Sequence, residues 1–160
     1  MLEQFHALNE EEFVKLKDAI PLITVLIAGA DGHYEKDQLV WADKVTKIRG
    51  YKMKDAMKSF YQEVGKTFSI KLNLYMDTFP QDVHERNNLI GGRLAQLNPI
   101  LAKLESHLAA EVYKSFVSFA KHVAKASGGL FGFFAINKEE AKLIGLPMIT
   151  PIHVSTEEEE

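Results

Sequence analysis

The sequence predicts an all-α protein, a single compact helical bundle built from two related helix–turn–helix halves. Two apolar spacings and one kind of punctuation carry that prediction. Ile90, Leu94, Leu97, Leu101, Leu104 and Leu108 are spaced 4-3-4-3-4, and Val112, Phe116, Phe119 and Val123 are spaced 4-3-4. Each is the seam of a packed helix. Helix-start signals of the capping-box kind, Asn9 with Glu12 and Asn137 with Glu140, stand at the head of helical patterns.

The elements follow in order. Asn9 caps a first helix, Glu12 closes the box, and Leu8 is placed to staple onto Phe13. Pro21 either kinks that helix or restarts it. Leu22 to Ala30 then reads as a buried segment, with Gly32 available as the left-handed residue beyond its end. A second helix begins near Glu35 and stops at Gly50, with Trp41, Val45 and Ile48 on one face. A third runs from Lys52 to about Val64. From Phe68 to Phe79, Ile70, Leu72, Leu74 and Met76 alternate as in a strand, while Phe68, Leu72, Tyr75 and Phe79 fit a helical face. A lone strand would lack a partner, so helix is the reading taken. Asn98-Pro99 interrupts the leucine run as N-cap and first residue of a restarted helix. The following helix stops at Gly128-Gly129, and a last short helix opens at Asn137. These elements make one helical domain over residues 1–154, followed by a disordered acidic end at 155–160.

Composition narrows the function class. The chain has 160 residues, net charge −3 and no cysteine. Disulfides, thiolate nucleophiles and cysteine zinc sites are thereby removed, and a nucleic-acid partner is not expected. The first residues carry no basic and apolar leader pattern, and the longest apolar run, Ile20 to Ala30, is shorter than the ~20 residues of a spanning helix. A cytoplasmic location is expected. There is no phosphate-binding loop, dinucleotide fingerprint, nucleophile elbow or zinc-protease motif, and no nucleophile–base–orienter set. The expectation is a protein that is not an enzyme.

Ala28-Gly29-Ala30-Asp31-Gly32-His33-Tyr34-Glu35-Lys36-Asp37-Gln38 ends an apolar helix in a short turn and opens an acid-rich one. Ala126-Ser127-Gly128-Gly129 followed by Asn137-Lys138-Glu139-Glu140 repeats the form with a longer turn, matching Ala30 to Ala126, Asp31 to Ser127, Tyr34 to Ile136 and Gln38 to Glu140. Asp31, Glu35 and Asp37 supply carboxylate oxygens suited to a hard cation, calcium or magnesium. The competing reading is structural: Asp31-Gly32 ends a helix, Glu35 and Asp37 complement a helix dipole, and Gln38 and Glu140 occupy the N3 positions of capping boxes. The spacing is not that of an EF-hand.

The paired turns resemble the TerB-like family of tellurite-resistance proteins, most closely over Leu22 to Gly50 and Ala110 to Ile149. That resemblance implies an all-α domain tied to stress response, with acidic residues of the two turns binding a metal ion. Carried onto this chain, it nominates Asp31 and Asp37 in the first turn and Glu140 in the second. Ser127 and Gln38 stand where the family pattern has acidic residues.

Two other features point to partners. Leu130, Phe131, Phe133 and Phe134, set among glycines, either plug the core or form a site for a protein partner or a peripheral membrane contact. Lys44, Lys47, Arg49, Lys52, Lys54 and Lys58 cluster around Gly50 near Trp41 and Tyr51, as a solvated face or a surface for an acidic partner. The leucine seam serves first as intramolecular core and second as a homodimer seam. Gly91-Gly92 is expected at a close helix contact, and the six histidines read as scattered surface or helix-end residues.

Overall fold

In a computed structural model, residues 2–126 and 138–153 are described. A short 3₁₀ turn at Glu3–Phe5 precedes α1 (Glu10–Ala28), α2 (Lys36–Lys52), α3 (Asp55–Thr78), α4 (Val83–Ala95), α5 (Leu97–Leu101), α6 (Ser106–Lys125) and α7 (Lys138–Leu143). No strand occurs among the described residues. The expected loop at Leu130, Phe131, Phe133 and Phe134, the Gly128-Gly129 stop and the acidic end all lie outside them.

α1 is the axis of the bundle and touches each of the other six helices. Its start is the expected capping box: Glu12 N–H donates to Asn9 Oδ1 at 2.8 Å, and Asn9 N–H donates to Glu12 Oε1 at 3.0 Å. Leu8 and Phe13 are both buried, and the Phe5 and Phe13 rings lie 5.3 Å apart. Pro21 neither breaks nor restarts the helix. An interior proline costs about 3 kcal/mol, yet every residue from Ala19 to Ala28 is buried. The apolar surface removed from water on all sides of this segment more than offsets that cost.

The two expected segments between Lys52 and Phe79 are one 24-residue helix, α3. Its helical face decides the ambiguity: Phe68, Leu72 and Tyr75 are buried, whereas Ile70 and Leu74 are exposed. The leucine seam is divided among α4, α5, the turn after it and α6, and from Ile90 to Leu104 it is buried in this chain's own core. Asn98 does not cap α5, which begins one residue earlier at Leu97. Its side chain instead donates to Met148 O at 3.1 Å and accepts from Thr150 N–H at 2.8 Å, fastening the C-terminal segment to the bundle. Glu105 is the cap of α6, accepting from the backbone of His107 and Leu108. Those two bonds hold its carboxyl below the usual value of 4.5.

Gly91 and Gly92 do not mediate a close helix contact. A side chain added at Gly91 would reach only Met148, 4.0 Å away, and Gly92 faces open space. Arg49 is not part of the exposed basic cluster either, being 7% exposed between α2, α3 and α6. Its guanidinium donates to Tyr61 Oη at 2.8 Å, Ser115 O at 2.7 Å and Ser118 Oγ at 2.7 Å, and lies over the Tyr61 and Phe119 rings. Full burial pushes the Tyr61 hydroxyl pKa up, so it stays a neutral hydrogen-bonding partner.

Candidate metal-binding turn

The turn between α1 and α2 is set by groups far from it in sequence. α1 ends at Ala28, and Gly29 is its C-cap. Gly32 does have the expected left-handed φ, +105°, but at the tip of the turn rather than next to the helix end. Gly29 is required for space. A Cβ there would lie 2.8 Å from Arg86 Nη2, 2.9 Å from Tyr34 Cε1 and 3.0 Å from the Val25 carbonyl.

Arg86, 2% exposed on α4, fills that space. It donates to Gly29 O at 2.7 Å and to Gln81 O at 3.2 Å, and its guanidinium sits 5.0 Å from the Tyr34 ring centre. A buried cation thus bonds a carbonyl at the end of α1, where the helix dipole favours positive charge. Glu35 N–H closes the turn on Ala28 O at 3.1 Å.

Within this frame, the side chains of Asp31, His33 and Glu35 converge. One potential ligand atom from each lies within 4.8 Å of the others. His33 stands between the two carboxylates, with Nδ1 3.7 Å from Asp31 Oδ1 and Nε2 3.9 Å from Glu35 Oε1. Metal–ligand bonds of about 2.0–2.5 Å place ligand atoms roughly 3–4.5 Å apart around one ion. The three groups therefore fit a divalent cation after small side-chain rotations. The rest of its coordination sphere would be open to water, because Asp31 and His33 are exposed.

The other nominated residues are placed differently. Asp37 is exposed in the first turn of α2 and is not in this cluster. Glu140 is buried on α7, where the Gln38 side-chain amide donates to its Oε2. The same Gln38 Nε2 donates to Ala124 O at 3.2 Å. Gln38 is fully buried and makes no cap bond; Glu35, the N-cap residue of α2, makes no side-chain cap bond either. The two repeat-matched positions, Gln38 and Glu140, do meet, but in the interior rather than at the turn.

The acid of α7 that shares a groove with Asp31 is Glu139. A groove of about 480 Å³ runs between the turn, α4 and α7, with Asp31, His84, Asn87, Glu139 and Lys142 among its lining residues. Lys142 Nζ lies 4.0 Å from Glu139. Sequence reasoning missed His33 and Arg86. The alternation Asp31-x-His33-x-Glu35 is a signal for the first, since a tight turn can gather alternate side chains. Nothing in the sequence distinguishes Arg86 from a surface arginine.

No helix among the described residues is long and apolar enough to cross a membrane. The chain matches no protein-family model, no curated protein and no solved structure.

Proposed function

We propose that this is a non-enzymatic helical domain that binds a divalent cation through Asp31, His33 and Glu35. The observation carrying the proposal is the convergence of an imidazole and two carboxylates in a turn held by a buried arginine. The resemblance of the Ala30-Asp31-Gly32 turn to the TerB-like pattern supports the same reading and supplies its stress-response context. The imidazole alters the choice of ion. Calcium and magnesium prefer all-oxygen shells, whereas a histidine with carboxylates suits manganese or zinc. Glu139 borders the same groove as Asp31. Glu140 supports the fold instead.

Thermal unfolding of the full chain, with and without each of the four metals, tests this. A ligand at a hundred times its Kd stabilises the folded state by about 2.7 kcal/mol. Manganese or zinc is expected to raise Tm by several degrees. Asp31→Ala and His33→Ala should each remove the rise, while Asp37→Ala should leave it intact. An unchanged Tm in all four metals, or a rise that survives both substitutions, refutes the site.

A further inference from the structure

A second feature, independent of the metal turn, lies on the outer face of α2. A helix packed on a core ordinarily turns a polar side to water. α2 does not. Val40, Lys44, Lys47 and Tyr51 fall at i, i+4, i+7 and i+11 along the middle of its outward face, and Trp41 and half-buried Ile48 border them. Val40 is 47% exposed, Trp41 37% and Tyr51 62%. The inward face is Gln38, Ala42, Val45, Thr46 and Arg49, and the outward groups lie apart from it.

The charge along this strip and beyond its C-terminal end is predominantly positive. Between residues 36 and 58 six lysines and buried Arg49 face only Asp37, Asp43 and Asp55, although the whole chain has net charge −3. Lys52, Lys54 and Lys58 continue the exposed basic surface beyond the C-terminal end of the strip. Asp43 is already engaged by Lys47 at 2.9 Å. A second copy docked face to face would oppose lysine to lysine. The occupant must therefore be anionic while accepting tryptophan, tyrosine and valine between the charges.

We propose that this face of α2 docks on an anionic lipid surface, lying flat along it. The helix is a convex rod about 25 Å long, a shape that suits a flat, deformable surface. Tryptophan and tyrosine place an apolar ring at the headgroup boundary with a polar tip in water, and lysine stems snorkel beside them. Each lysine near a phosphatidylserine-bearing surface strengthens binding about fivefold, and the effect fades with salt. The contact is peripheral and needs no spanning segment.

Trp41 is the single tryptophan of the chain, so its fluorescence reports on this face alone. The full-length protein is titrated with vesicles of phosphatidylcholine, with and without roughly one-third phosphatidylserine, and bound protein is also measured by co-sedimentation. The expected result is a blue-shifted Trp41 emission and sedimentation with the anionic vesicles only, reversed by high salt. Lys44→Gln with Lys47→Gln should weaken that partition about 25-fold. Tyr51→Ser should weaken it at unchanged charge, with circular dichroism confirming that both variants keep their helix content. Absence of binding to anionic vesicles overturns the proposal, and is the outcome expected if an acidic protein covers this face. So do equal binding to neutral vesicles and full retention of binding by the lysine variant.

Discussion

Replacing Arg86 by methionine keeps a long side chain under the α1–α2 turn and removes the guanidinium. Two effects oppose each other. Hydrogen bonds from a charged donor contribute about 1.5–3 kcal/mol each. The variant loses the 2.7 Å bond to Gly29 O, the 3.2 Å bond to Gln81 O and the stacking on Tyr34. Against this, withdrawing a cation from water is itself costly by several kcal/mol, and the variant is relieved of that cost. The balance is a net loss of about 2–3 kcal/mol, because the charged donor and the Tyr34 stacking are both lost while Gly29 O keeps only its bond from Gly32 N–H at 3.1 Å. For a domain of this size that is a fall in Tm of about 5–10 °C. Circular dichroism melting measures the global effect, and amide exchange at Glu35 measures the local one, since its N–H closes the turn on Ala28 O. A variant that melts with or above the parent, with Glu35 exchange unaltered, would show that the turn holds its shape without the arginine.

Three further outcomes are expected. Gln38→Leu should cost about 2 kcal/mol in urea unfolding by removing the donor to Ala124 O and Glu140; a change of only a few tenths would return Gln38 to a surface capping role. Asn98→Ala should speed amide exchange at Thr150 and lower stability by about 1–2 kcal/mol, and unchanged exchange there would mean that the C-terminal segment docks without this side chain. Glu12 is held below its ordinary value of 4.5 by Lys103 and by the Asn9 backbone, and Glu105 by the N–H groups of His107 and Leu108. Depressed carboxyl values stabilise the fold above the unfolded-state pKa and lose that contribution as pH falls through the folded-state value. Tm should therefore decline on acidification below about pH 4.5, less steeply in Glu12→Gln with Glu105→Gln than in the parent; parallel curves would remove these two groups from the acid response.

The cluster at the α1–α2 turn was half legible before the structure was known. Asp31 and Glu35 are conspicuous as carboxylates in a short turn, whereas His33 reads as one of six scattered histidines until the backbone folds it between them. Asp37 lies six residues after Asp31 but on the next helix, where α2 turns it outward to solvent. Glu140 carries the same N3 signature as a capping glutamate, and it is burial against Gln38 that sets its role.

By itself the sequence determined the helical class, the start of α1 and the apolar faces that fill the core. Those features depend on groups within a turn or so of each other: Asn9 and Glu12 satisfy one another's backbone, and residues three and four apart share a face. Tertiary structure alone decided that α1 runs unbroken through Pro21, that Gln38, Arg49 and Arg86 are interior, and that Asn98 ties down the C-terminal segment. Each of the polar three is stabilised by partners distant in the chain, as Arg86 is by Gly29 and Gln38 by Ala124. A polar side chain enters the core only where such partners satisfy it. Their positions are fixed when the helices meet, so local pattern marks where helices lie but not which of their polar residues turn inward.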